Sequence, residues 1–220
     1  MDWTNLRTAV YMAVALLVGM IVREYVRASV ASSLGDPTPR LWGRRSLHPK
    51  SWFDPFGSGV IPGLVLVLWA AGGSFLPPPA AYGKPAPVDP TYLRRSTRDQ
   101  ILIGFAGPVS NVVLAAIAGV VLRVALTSIG TELFLVLVAF EFTQLSLAIF
   151  HLLPIPGLDG ARLVALALPD DARRVYRDAD RYLPLFVLVL WFLLAGVMKA
   201  LVYGLVDSLC RTFSGFGCAP

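Results

Sequence analysis

The chain has 220 residues, of which 56% are hydrophobic and 15% charged, with a formal net charge of +5. A water-soluble surface does not tolerate so apolar a composition, so lipid is expected as the main surroundings, and the length suits one compact unit. The positive balance does not point to nucleic acid, because the basic residues flank apolar runs instead of forming one patch interleaved with aromatics.

A helix crossing ~30 Å of hydrocarbon needs about 20 mostly apolar residues. Four segments qualify, the first from Thr8 to Ser33, apolar through Val22 and then carrying Arg23, Glu24 and Arg27. Met1 to Arg7 lacks a basic start, and no small-residue cleavage site follows, so this run is expected to stay as a membrane helix. The stretch Gly35-Asp36-Pro37-Thr38-Pro39 then stops the helix. Residues 60–76 are apolar but interrupted by Pro62-Gly63 and Gly72-Gly73, so they form a short segment that either re-enters or spans. Pro77-Pro78-Pro79 stiffens the chain behind it. The second and third clean spans are Ile101 to Thr127 and Glu132 to Leu153. Between Asp170 and Tyr182, Arg173, Arg174, Arg177 and Arg181 alternate with Asp178 and Asp180, the pattern of a short interfacial helix. The fourth span is Pro184 to Val206, and a tail with Cys210 and Cys218 follows, spaced for a small disulfide loop in an oxidising compartment or left as reduced thiols.

Charge bears on the short segment. If it enters and leaves on one face, Arg40, Arg44, Arg45, Lys50, Lys84, Arg94, Arg95, Arg98, Arg162 and the arginines of 173–181 share one side, with Arg7 and Arg211 opposite. If it crosses, the cations divide almost evenly. The positive-inside rule favours re-entry, with the main basic loops cytoplasmic and both termini extracytoplasmic, in a bacterial plasma membrane.

Seven motifs stand in order: Gly35-Asp36-Pro37-Thr38, Gly43-Arg44, His48-Pro49, Asp54-Pro55-Phe56-Gly57, Gly83-Lys84-Pro85-Ala86-Pro87-Val88, Ala106-Gly107-Pro108-Val109-Ser110-Asn111, and Leu152-Leu153-Pro154-Ile155-Pro156-Gly157-Leu158-Asp159-Gly160. Together they resemble the short bacterial site-2 protease family of intramembrane zinc peptidases, over about Val18 to Leu168. The resemblance implies an all-α polytopic membrane protein with a site-2-protease-like core at 18–168. Residues 1–220 form a single membrane domain on this reading, with 183–220 as C-terminal helix and tail.

In that family the first matched helix carries His-Glu-x-x-His, and the aspartate of the Leu-Asp-Gly motif is the third zinc ligand. This chain reads Arg23-Glu24-Tyr25-Val26-Arg27 at the first place and Asp159 at the second. Arginine stays protonated and has no lone pair to give a metal. The sequence therefore leads to the expectation of no bound zinc and no enzymatic activity, with Arg23, Glu24, Arg27 and Asp159 as a degenerate site. Arg23 and Arg27 are four apart on one helix face, so they are candidates for an ion-pair network with Glu24 and Asp159, the alternative being that both snorkel to headgroups.

Asn111 matches a residue that lies near the family's catalytic centre, and helix packing would also account for it. Pro85 and Pro87 sit in the strip that resembles the family's substrate path, where an extended peptide could add as a strand. Asn111, Pro85 and Pro87 are all assigned to substrate or partner binding. Glu141, with Gln144 one turn on, should face protein or water rather than lipid. His151 is either a hydrogen-bonded core histidine or, with His48 and Asp159, an unorthodox metal ligand.

Three functions follow from these residues. The first is a catalytically inactive, protease-like binding or scaffold protein, held to the bilayer and to another integral membrane protein. The second is an active intramembrane metalloprotease with non-standard ligands, and the third a transporter or channel component, motivated by Arg123, Glu141 and Lys199 inside apolar runs.

Overall fold

The structure, a computed structural model, describes residues 3–72, 77–84, 86–193 and 195–218. Every regular element among them is helical. The elements are α1 (Trp3–Ser33), α2 (Thr38–Leu41), α3 (Ile61–Ala71), α4 (Ser96–Ala125), α5 (Thr131–Leu152), α6 (Asp159–Ala167), α7 (Asp170–Asp178), α8 (Leu183–Leu188) and α9 (Ala195–Phe213). Helices α1, α4 and α5 are each long and apolar enough to cross a membrane, and the bent pair Asp170–Leu193 and Gly196–Phe213 supplies a fourth crossing if taken as one span. The architecture is a polytopic helical membrane protein.

The side chains are distributed as lipid surroundings require. Aliphatic residues point outward, among them Val10 and Val14 on α1 and Val113, Ile117 and Val124 on α4. Polar groups turn inward, away from the lipid-facing surface. On α5, Glu141, Thr143, Gln144, Ser146 and His151 are all buried. Gln144 donates to the Ala15 carbonyl of α1 at 2.8 Å, beside Gly19. The aromatic core stacks Trp69, Phe142 and Tyr203 in one series and Phe150 against Trp191 in another, joining α3, α5, α9 and the turn that follows α8.

The contacts define two ends. At one, Arg7 of α1 pairs with Glu132 of α5 at 2.7 Å, and Tyr11 donates to the same carboxylate. At the other, Asp36 accepts from the Thr38 amide and, across 53 residues, from the Asp89 amide, both at 2.9 Å, fastening the loop after α1 to the stretch leading into α4.

The limbs on either side of the short apolar segment pack together against the middle of α1, where Trp52 and Ala81 meet Leu16 and Met20. Asp54 caps a wide π-type turn, Pro55–Val60, by accepting from the Phe56 and Gly57 amides, and α3 continues from it. Gly72 ends α3 in a left-handed conformation (φ 67°) that suits glycine. The chain then comes back, so that Tyr82 N donates to Gly57 O at 3.0 Å, Ser58 Oγ to Tyr82 O at 2.7 Å and Lys84 N to Trp52 O at 2.7 Å. The residues before and after the short helix are thus hydrogen-bonded to one another. On the way, Trp69 Nε1 donates to Pro77 O at 2.9 Å and Trp191 Nε1 to Pro78 O at 2.8 Å.

The last apolar run, read as one crossing from Pro184 to Val206, is not straight. A π-type turn at Val189–Leu193 follows α8, and the helical stretches Asp170–Leu193 and Gly196–Phe213 are inclined by 86°. Cys210, in the last turns of α9, is joined to Cys218 in the tail by a disulfide, the first of the two sequence alternatives for these residues.

Candidate functional site

Four charged side chains meet where α1 crosses α4 and the start of α6. Arg23 donates to Glu24 through Nη1 and to Asp159 through Nη2. Arg27 Nη1 lies 3.3 Å from Asp159 Oδ1 and 3.9 Å from Glu24 Oε2. All four are at most 3% exposed, so two guanidiniums and two carboxylates balance one another out of solvent. Both arginines are directed into the protein rather than out from it.

Small residues and one special backbone position make the meeting possible. Gly107 of α4 faces the cluster, and a methyl there would stand 3.0 Å from Arg23 Cγ and 3.3 Å from Asp159 Oδ2. Gly104, one turn earlier, leaves room for Leu163 of α6. In the Pro-Gly-Leu-Asp-Gly turn, Gly157 has φ 95° and Gly160 packs on the backbone of Leu152 and Leu153. Asp159 is thereby the first residue of α6, aimed back at α1.

Asn111 lies one turn beyond Gly107 on the same face of α4. It is fully buried, and neither its Oδ1 nor its Nδ2 has a hydrogen-bond partner. Ser110 beside it is satisfied locally, donating to the Gly107 carbonyl at 2.7 Å. The strip before α4 reaches the centre through Ala86, whose carbonyl accepts from Arg27 Nη2 at 3.3 Å. Pro87 is half-buried next to it, and Pro85 lies outside the described residues.

His151, near the end of α5, interacts electrostatically with Arg23 and Asp159. Its Nδ1 is 2.9 Å from the Leu147 carbonyl, which places the proton there and leaves Nε2 with a lone pair, buried and unpartnered. His48 stands apart, exposed in the loop after α2, with Nδ1 accepting from the Lys50 amide. The structure thus brings Arg23, Glu24, Arg27, Asp159, Asn111, His151 and the Ala86-Pro87 strip together and leaves His48 out. Ala86 itself was not among the sequence candidates, because a main-chain acceptor carries no side-chain signal.

Two apolar and mixed cavities flank this centre. One, of about 420 Å³, lies between α1 and the short apolar segment and is lined by Leu16, Met20, Trp52, Phe53 and Pro62 among others. The other, of about 250 Å³, lies between α6 and α7 with Arg162, Arg173, Tyr176 and Asp180 in its wall.

The chain is 31% identical over 217 residues, 93% of its own length and 91% of the relative's, to a protein of Bacillus subtilis (strain 168) named "Putative zinc metalloprotease YwhC". It is 30% identical over 193 residues to "Putative zinc metalloprotease Rip2" of Mycobacterium tuberculosis (strain H37Rv), covering 87% of this chain and 71% of that protein. No family model matches, and no solved structure matches significantly.

These relatives correct two expectations from the sequence, that the chain is no enzyme and that it has no zinc. Both rested on two arginines in a single helical turn, whereas the similarity to proteins named zinc metalloproteases extends over almost the whole chain. Physically, losing two imidazoles from α1 does not remove every donor, since Glu24, His151 and Asp159 all remain in this region. The packing described does not itself fit the ion. Hydrolytic zinc needs three donors and one open position, yet the Arg23 guanidinium lies between the two carboxylates. Among the described residues, the group of three His, Cys, Asp or Glu donors gathered within 4.8 Å of one another lies elsewhere.

Proposed function

The chain belongs to the site-2-protease type of the zinc metalloprotease family, and from that premise we propose that it acts on membrane-embedded peptide segments at the crossing of α1, α4 and α6. The reading its relatives favour is an intramembrane peptidase whose donors are non-standard, drawn from Glu24, His151 and Asp159. With Arg23 and Arg27 packed as they are, such a set is not assembled, so it requires both guanidiniums to turn away from the carboxylates.

One observation carries the reading. Buried polar groups are almost always hydrogen-bonded, yet Asn111 and His151 Nε2 are not. An amide offers one acceptor and two donors, the complement of an extended peptide backbone. Asn111 is thus the residue to receive a substrate's main chain. The Ala86-Pro87 strip, held by Arg27, borders the same place. The cavity beside the short apolar segment supplies an apolar approach from α1.

We assign the end carrying Asp36 and α6 to the cytoplasmic side of a bacterial plasma membrane, with both termini outside, because the loop cations gather there. A second reading, in which this centre holds another integral membrane protein, is favoured by the pairing of both carboxylates with arginine.

The test uses oxidised protein in mild detergent with a transmembrane peptide, followed by mass spectrometry with and without a chelator. Peptide products that disappear with chelator, and in Glu24→Gln and Asp159→Asn, are expected. Intact peptide that is bound and released unchanged in every condition supports the second reading. No binding and no product would refute both.

A further inference from the structure

Glu141 is an ionisable side chain near the middle of α5, fully buried, with no hydrogen-bond partner on either carboxylate oxygen. The neighbouring Ser214 hydroxyl, which interacts with the Glu141 carboxylate, donates to the Cys210 carbonyl at 2.8 Å. A group of this kind at membrane depth is costly unless something pairs with it. Gly119 of α4 opens the space in front of it, since a methyl there would stand 2.6 Å from both Glu141 Oε1 and Phe213 Cβ. The corner faces the sulfurs of Cys210 and Cys218, and a Glu141 oxygen and these two sulfurs all lie within 4.8 Å of one another, each residue buried.

We propose that Glu141, Cys210 and Cys218 form a redox-gated site for a thiophilic divalent cation of the zinc type, closed to metal by the disulfide and opened by its reduction. Tetrahedral ligands ~2.0–2.3 Å from an ion are roughly 3.3–3.8 Å from one another, so once reduction breaks the bond the two sulfurs separate to that spacing while the Glu141 oxygen, within 4.8 Å of both, closes on the ion. The chemistry balances with a dithiol as reductant. It gives two electrons and two protons to the Cys210–Cys218 bond, becoming a disulfide itself and leaving two thiols here. The cation then displaces both thiol protons to solvent and takes the two thiolates and the Glu141 carboxylate, with a fourth position for water. Three anionic donors and one dication leave a net charge of −1, no more than an ionised Glu141 carries alone.

This site is separate from the arginine-bridged centre. Glu141 precedes His151 by ten residues on α5, about 15 Å along the helix. Metal here joins the tail beyond α9 to α5. It performs no hydrolysis, and the inference does not rest on the peptidase reading.

The experiment compares the full-length protein oxidised and after dithiothreitol reduction and anaerobic desalting. Cd2+ is the probe, followed by thiolate-to-metal absorption in the ultraviolet and by metal-to-protein ratio. One additional equivalent is expected in the reduced protein, weakened at least tenfold by Glu141→Gln. Cys218→Ser, outside the helices, should abolish that equivalent with helicity unchanged. Equal uptake by oxidised and reduced protein overturns the proposal. So does a Cys218→Ser protein that keeps the equivalent, or a folded Glu141→Gln protein that binds as tightly as the parent, for then Glu141 is not a ligand.

Discussion

Arg23→Leu is the most informative perturbation of the charged centre. Arg23, Glu24 and Asp159 are 2%, 3% and 1% exposed, so little solvent can take over when the guanidinium goes. Asp159 would keep Arg27 Nη1 at 3.3 Å, but Glu24 would be left with the same guanidinium at 3.9 Å, too far for a hydrogen bond. Removing one partner of a buried ion pair typically costs ~3–5 kcal/mol. For a chain of this size, 1 kcal/mol moves the midpoint by roughly 2–4 °C, which gives a fall of about 6–20 °C. The assay is thermal unfolding in mild detergent, followed by helical circular dichroism. Arg23→Leu combined with Asp159→Leu should recover part of the loss, because replacing a buried pair by apolar groups is often close to neutral. An unchanged melting temperature for Arg23→Leu would refute the reasoning and show that the pairs do not hold the helices together.

Other outcomes can be checked alongside. Gly160→Ala should destabilise by ~1–3 kcal/mol or more in the same melt, since its methyl would meet the Leu152 and Leu153 main chain, which cannot rotate away. Asn111→Leu should leave stability unchanged or raised, because a partnerless buried amide is removed, while peptide affinity falls roughly tenfold, ~1.4 kcal/mol, in a binding titration. Trp191→Phe should lose about 1–3 kcal/mol through the stranded Pro78 carbonyl. A reporter active only outside the cytoplasm, fused after residue 218, should be active, whereas one inserted at Lys50 should be silent.

Hydropathy made α4 and α5 legible to within a few residues, because a lipid-facing helix must be apolar for its full length. It could not show the 86° change of direction in the last run, since counting apolar residues gives no axis. The interruptions at Pro62-Gly63 and Gly72-Gly73 marked a segment shorter than a full span, as the eleven-residue α3 is, but not the pairing of its flanks, which Tyr82 makes through its main chain with Gly57. The centre was legible only through the ordered motifs, for no periodicity links Arg23 to Asp159 across 136 residues. Those same motifs led to the absence of enzyme and zinc, where the whole-chain relatives point the other way. The Glu141 corner left a faint sign, an acidic residue within a span and two cysteines near the end. Their meeting depends on where the tail folds back, which no local pattern encodes.

The three successive prolines after α3 solve a problem of main-chain accounting. Non-helical chain at membrane depth must satisfy each amide hydrogen and each carbonyl without water. A prolyl residue has no amide hydrogen at all, so Pro77, Pro78 and Pro79 present acceptors alone, and two indoles take the first two of these. The stretch can therefore lie extended among helices without a partner strand. Pro78→Ala would add a hydrogen with no acceptor assigned to it, turning a dry connector into a point where water is drawn into the bundle.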